Sequence, residues 1–288
     1  VFFTFNKGNF TGVREFFVAS DTDTKKADDI TANVPKFIPA NVFKLATSTT
    51  ENILIALSSD EDNALYVFQY YVAQNKRLQS AWHKWTYGST TSDKILNVDF
   101  IENTLFIVNE RSDGVYLETI DVSPALTDTG ETYLTHLDRK LNNTQITESY
   151  NAGTNQTTIT LPYAINNTMK VVGKSGASNK AGQEIATVSQ TGTSIVVSGD
   201  ITAQNFFIGE QYEFEFQFSQ QFIQVADSVG SRISVKEGRL QIRNWSVSFN
   251  DTGFFTTEVT PEGRSTSTST FTGTILGSGL AGTINLED

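Results

Sequence analysis

The run ILIAL, Ile53 to Leu57, decides how this chain is read. It is a short, continuous apolar row bounded by polar residues, the pattern of a strand buried on both faces. The turn cluster SSDEDN, Ser58 to Asn63, follows it, and then LYVFQYYV, Leu65 to Val72. A turn-like Ala73-Gln74-Asn75-Lys76 leads to a third apolar stretch, Leu78 to Tyr87, which carries Trp82 and Trp85. Three strands joined by tight connections make a meander.

Working outward, the pattern recurs. Ile95 to Ile101 (ILNVDFI), a break at Glu102-Asn103, Leu105 to Asn109, a turn at Ser112-Asp113-Gly114 and Val115 to Val122 again read as three strands in meander order. Aligning Ile53 with Leu105 and Leu65 with Val115 gives a spacing of about 50 residues, as in propeller blades, whose sheets bury both faces only by stacking. An ordinary antiparallel sandwich with hairpins of similar length accounts for the same pattern and stays open.

Composition supports an all-β chain: 21 Phe, 9 Tyr and abundant Thr, Ser and Val, with 5 Pro and 20 Gly as punctuation. A formal charge of −11 argues against a surface built to grip nucleic-acid phosphates. The chain has no Cys, and its two histidines are His83 and His136. Disulfide scaffolds, thiolate metal sites, cysteine nucleophiles and histidine-rich zinc sites therefore lack their parts. No apolar run approaches the ~20 residues of a membrane helix.

Glu131 to Asn143 (ETYLTHLDRKLNN) has Leu134, Leu137 and Leu141 at helical spacing, yet Tyr133 and Thr135 suit a strand; it reads as a domain crossing of either kind. Beyond it, short strands at Thr157–Leu161, Met169–Val172, Glu184–Val188 and Ser194–Ser198, with Gly-rich turns, describe a small β-sandwich or barrel. Tyr212 to Phe218 (YEFEFQF) alternates strictly, which predicts a half-buried strand. Leu240 and Ile242 alternate out of phase with Trp245, Val247 and Phe249, which predicts a β-bulge at Arg243-Asn244. The expected division is 1–130, propeller-like blades; 131–225, a Thr/Asn-rich sandwich-like domain; and 226–288, a β segment packing back on the blades.

Candidate chemistry is sparse. Gly173-Lys174-Ser175 copies the end of a phosphate loop, but Thr168 stands where the first glycine is required. Asp21, Asp23, Asp28 and Asp29 lie close together, but Lys26 and Ala32 occupy the turn and final-ligand positions of a calcium loop, so a solvated acidic loop is expected. Lys76 and Arg77 with Trp82 and Trp85 have the texture of a single-strand nucleic-acid groove. The tryptophans have opposite parity on one strand, so packing between layers is expected instead. Glu213 and Glu215 share a face, as would any outward acids on a strand. The six Asn-x-Ser/Thr sequons (Asn9, Asn142, Asn155, Asn166, Asn244, Asn250) follow from composition. No catalytic, cofactor-binding or metal-ligating residue is assigned, and the expectation is that the protein is not an enzyme.

Several ordered blocks nevertheless carry a family resemblance. FTGVREFF (Phe10–Phe17), ADDITANVPKFIP (Ala27–Pro39), TTENILIAL (Thr49–Leu57), LYVFQYY with RLQSAWHKW (Arg77–Trp85), and KEGRLQIRNWSVSFNDTGFFTTEVTPEGR (Lys236–Arg264) together resemble the tail tubular protein B, or tail nozzle, family of T-seven-like short-tailed bacteriophages. The likeness covers both ends and the blade-like part. The Thr/Asn-rich middle, about Asn151 to Asp200, does not contribute.

The resemblance implies a structural virion protein with a propeller and additional β-domains. Six copies would ring the tail axis below the adaptor, tail tubular protein A, with tail fibres near the junction and genomic DNA passing through at infection. It implies a virion location after assembly in the host bacterial cytoplasm, no cofactor, and a chain that is a C-terminal part of a longer protein, with Val1 marking a cut. An acidic lining would let DNA slide without binding it. The competing reading is a virion protein that binds or degrades surface glycans, which requires two carboxylates roughly 5 to 9.5 Å apart if it cleaves them. An isolated propeller adaptor of eukaryotic style fits poorly, because the repeats share no blade signature.

Overall fold

A computed structural model describes residues 1–18, 24–73, 76–87, 93–124, 126–176, 181–218, 222–226, 232–235, 240, 244–250, 254–261, 263–272 and 281–287. All regular structure in them is β. Two compact units are distinguished: Val1–Thr127 with Thr160–Thr168 and Gln190–Ile195, and Asp128–Ile159 with Met169–Ser189 and Val196–Asp288.

The first unit contains three antiparallel meanders. β1 (Phe2–Asn6), β2 (Thr11–Val18) and β3 (Lys25–Asp29) form one. β4 (Val42–Ser48), β5 (Ile53–Ser58), β6 (Glu61–Ala73) and β7 (Lys76–Thr86) form the second, and β8 (Lys94–Ile101), β9 (Thr104–Arg111) and β10 (Gly114–Asp121) the third. The four-stranded sheet lies between the other two. Ile53, Ile55, Leu57, Leu65 and Val67 on one face pack with Ile95, Val98, Leu105 and Ile107 of the β8–β10 sheet. On the other face Leu54, Ala56, Tyr66 and Phe68 pack with Val13 and Ile38.

Every residue of β5 is buried. A two-layer sandwich leaves each strand one solvent face, so burial at both parities identifies β5 as a strand of a middle layer. The three sheets therefore form a stack with β4–β7 as its middle layer, which two-layer packing does not provide. Corresponding residues repeat as the spacing implies, with β5 and β9 the second strands of their meanders and β6 and β10 the third. The turns preceding β5 and β9 each place a residue in the left-handed region, Asn52 (φ 54°) and Glu102 (φ 54°). Ser48 Oγ joins these turns by donating to the Glu102 carbonyl at 3.0 Å.

Beyond these meanders, β11 (Asp138–Asn142), β18 (Phe206–Glu210), β14 (Met169–Gly173) and β15 (Glu184–Ile185) form one four-stranded sheet in that order. β12 (Thr147–Asn151), β13 (Gln156–Thr160), β17 (Ser194–Ser198) and β16 (Thr187–Thr191) form another. Each has a buried apolar row, Met169, Val171, Phe206 and Ile208 in the first and Ile159 and Val197 in the second. They are two sheets rather than a closed barrel. The remaining pairs are hairpins of β19 (Ile223–Ala226) with β20 (Arg232–Val235) and β22 (Phe254–Val259) with β23 (Ser267–Thr272), and the pairing of β21 (Asn244–Asn250) with β24 (Ala281–Glu287).

Three expectations change. The ambiguous stretch 131–143 holds no helix; it is irregular up to β11. Glu184–Val188 is split between β15 and β16, which belong to different sheets. Tyr212–Phe218 forms no strand and lies in no sheet, and Phe214, Phe216 and Phe218 are exposed. Alternation sorts side chains onto two sides of an extended chain, but burying one side requires an opposing layer, and the described residues supply none there. The bulge expected at Arg243-Asn244 falls partly outside the described residues.

Ile55 is fully buried against the β8–β10 sheet. Ile55→Ala is expected to cost about 2 to 5 kcal/mol, whereas Thr47→Ala, at an exposed position of β4, should stay within about 0.5 kcal/mol. Urea denaturation of the two variants beside the parent chain checks this.

Candidate functional site

β7 carries the densest mixture of cationic and aromatic residues, and Arg77, Trp82 and Trp85 on it turn towards neighbouring layers. Trp82 faces the β1–β3 side, donating its Nε1 proton to the Ile30 carbonyl at 2.9 Å, with its ring 5.0 Å from that of Phe68. Trp85 faces the opposite way and packs against the cluster shared with the β8–β10 sheet. The guanidinium of Arg77 pairs with Glu15 and lies over the rings of Phe68 and Tyr70 at 5.4 and 5.1 Å. These residues join layers, as their parity predicts, and present no single stacking platform to a nucleic acid.

The phosphate-loop fragment is likewise engaged. The Ser175 amide donates to Glu131 Oε1 at 3.0 Å and its hydroxyl donates to Glu131 Oε2, so a carboxylate of the same unit holds the groups a phosphate would need. Lys174 Nζ lies 4.6 Å from the Phe207 ring centroid. Of the clustered acids, Asp21 and Asp23 lie outside the described residues and Asp28 is exposed on β3. Asp29 accepts from Lys7 Nζ at 2.8 Å and from the Thr31 amide at 2.8 Å. Burial alone would raise its pKa, but hydrogen bonds from Lys7 and Thr31 hold it below the usual carboxylate range.

Other carboxylates sort in the same way. Glu61 is partly buried, which opposes ionisation, yet Lys84 and the Tyr66 hydroxyl bond to it and its pKa is lowered. Glu148 is shifted upward by burial and by the charge of Asp200, whose own carboxyl is held down by hydrogen bonds from Thr202. Glu213 and Glu215 lie on the exposed segment, outside any sheet. Among the described residues no group of three or more His, Asp or Glu is gathered as a metal would require. His136 Nδ1 lies 3.2 Å from the Tyr212 hydroxyl, and His83 is packed beside Trp85 with ring centroids 5.6 Å apart.

What the described residues do display is apolar surface. On the face of the β8–β10 sheet turned away from the core, Ile101, Val115 and Leu117 are exposed, the last two at 60% and 67%. At the other end of the stack, the outward face of the β1–β3 sheet exposes Phe3, Phe16 and Val18. Both terminal layers of the stack thus carry apolar rows facing outward, on two separate faces. The sequence did not mark these rows, because on a half-covered strand an apolar residue at the outward parity looks like any other β-former. No helix among the described residues is long and apolar enough to cross a membrane.

A family model described as bacteriophage nozzle protein matches residues 1–288 of the chain. The chain is also similar to tail tubular protein gp12 of Escherichia phage T7, with 26% identity over 296 residues. That alignment covers 99% of this chain and 37% of the relative, so the chain spans little more than a third of the relative's length.

Burial lowers the pKa of His83 below its ordinary value, so the unfolded chain holds this proton more tightly than the folded one. The associated stability is complete above the unfolded value of about 6.5 and is lost as pH falls towards the lower folded value. Thermal melts between pH 5 and 8 should show the parent losing stability on acidification through this window. His83→Gln should flatten that slope, leaving the carboxylate-linked loss at lower pH.

Proposed function

The chain belongs to the bacteriophage nozzle protein family, and from that premise we propose that it serves as a structural subunit of a short phage tail, in the tube through which DNA leaves the particle. The observation that carries the reading is the stack of three meanders whose two outward faces each expose apolar side chains among charged ones, as expected of surfaces that make further contacts. Copies arranged head to tail around an axis make contacts between different faces and close when the rotation closes, and two distinct apolar faces suit that geometry. A six-fold ring below an adaptor of the tail tubular protein A kind, with tail fibres nearby, is the arrangement we favour.

The polar chemistry of the chain supports a non-catalytic role. Polar groups that resembled sites in the sequence bond to one another within their units, at Asp29, Glu131 and Arg77. The formal charge of −11 favours a lining along which double-stranded DNA slides without being held. The protein would reside in the virion after assembly in the bacterial cytoplasm.

Imaging of tailed particles at side-chain resolution tests this. The chain should encircle the tail axis, with acidic rather than Lys- and Arg-dominated surface towards the lumen; a chain found away from the axis would sink the proposal. Leu117→Lys places a charge on an outward apolar face where nothing in the unit depends on it. Burying that charge in an assembly contact costs several kcal/mol, so the yield of complete tails should fall by about tenfold or more while the melting temperature of the isolated chain is unchanged.

A further inference from the structure

The β6–β7 hairpin reaches beyond its sheet. β5 pairs with β6 only as far as Ile53 opposite Gln69, so Tyr71 to Ala73 pair with β7 alone. On the face that buries Leu65 and Val67, the strand continues into Gln69 and Tyr71, which lie opposite Ala81 and Gln79, and all four are exposed. The turn before β5 flanks this overhang, and together they line a shallow groove of about 750 Å³ that is largely open to solvent. Its walls are fixed. The Tyr70 amide donates to the Asn52 carbonyl at 3.1 Å, and the Glu51 amide donates to Ser48 Oγ at 3.3 Å.

The lining has a definite chemistry. Asn52, Gln69 and Gln79 contribute three side-chain amides to the lining. Each planar amide offers a donor and an acceptor at fixed spacing, which matches adjacent hydroxyls of a sugar ring. Tyr71, 57% exposed, and Leu78, 59% exposed, supply an apolar platform for the C–H face of such a ring. No Lys or Arg lines the cleft among the described residues, and neighbouring Arg77 is committed to Glu15. The one ionisable carboxyl in the lining is that of Glu51, which disfavours an anionic ligand. The volume lies within the range of about 300 to 1,000 Å³ typical of ligand sites, and the open groove admits a chain rather than an enclosed monomer.

We propose that this cleft binds a neutral hexose oligosaccharide, with Tyr71 as the stacking platform and Gln69, Gln79 and Asn52 reading its hydroxyls. The proposal stands apart from the tail role, since the cleft chemistry is the same whatever the chain assembles into.

Saturation-transfer NMR and calorimetric titration of the 288-residue chain with maltohexaose, cellohexaose and mannohexaose test it. At least one of these should receive saturation, and Tyr71→Ala should weaken its binding by about tenfold, equivalent to about 1.4 kcal/mol. Gln69→Ala and Gln79→Ala, at exposed polar positions that leave the core intact, should each weaken it several-fold. Tyr150→Ala, an exposed tyrosine on β12 outside the cleft, should leave it unchanged. Hexagalacturonate should bind less well than the neutral chains. Absence of transfer to all three neutral hexaoses overturns the proposal, as does binding that survives Tyr71→Ala and both Gln variants undiminished; should Tyr71→Ala fail to fold, the Gln variants decide.

Discussion

The first unit depends on the burial of β5 from both sides. Ile53, Ile55 and Leu57 point to one face and Leu54 to the other, and each loses favourable burial of about 1.5 to 3 kcal/mol if its side is left wet. A strand of this composition is stable only as part of a middle layer. The β1–β3 and β8–β10 sheets satisfy that demand, one on each face. Those outer sheets have inward faces that match β4–β7 and outward faces that mix exposed apolar side chains with charged ones.

Polar contacts lock the layers in register once burial has brought them together. Trp82 reaches across to the Ile30 carbonyl, Arg77 to Glu15, Lys44 to Asp99 at 3.1 Å and Ser48 to the Glu102 carbonyl. The first two come from the same strand, β7, whose charged and aromatic residues suggested nucleic-acid binding when read in a line. Arg77 and Trp82 both reach towards the β1–β3 side while Trp85 faces the β8–β10 sheet, so the neighbouring layers claim them. For the tail role proposed above, cations spent internally serve better than cations displayed.

The strands most legible in the sequence are those marked by apolar runs between turn residues: β5 to β10 and, among the others, β13, β14, β17 and β22. β3 was not legible. Its sequence KKADD has no strong strand former, and it is a strand because β2 offers an edge to it. β1 and β4 were missed for a related reason, since VFFTF and VFKLATS carry apolar residues without a repeat to place them. At Tyr212–Phe218 the error ran the other way, a perfect local pattern with no partner in the described residues. The overhang of β6 and β7 could not be read at all, because it arises from a difference in strand length between hairpin and sheet.

By itself the sequence determined the class of the fold, the existence of successive meanders and the poverty of conventional catalytic parts. These follow from composition, period and residue type, which are local properties. The tertiary structure alone decided which faces are covered, that Glu131 rather than a phosphate holds Ser175, that the outward rows at Leu117 and Phe16 remain bare, and that Gln69, Tyr71 and Gln79 meet in a cleft. Each of these depends on what lies opposite a strand, and alternation along a chain fixes two faces without saying what, if anything, will cover either of them.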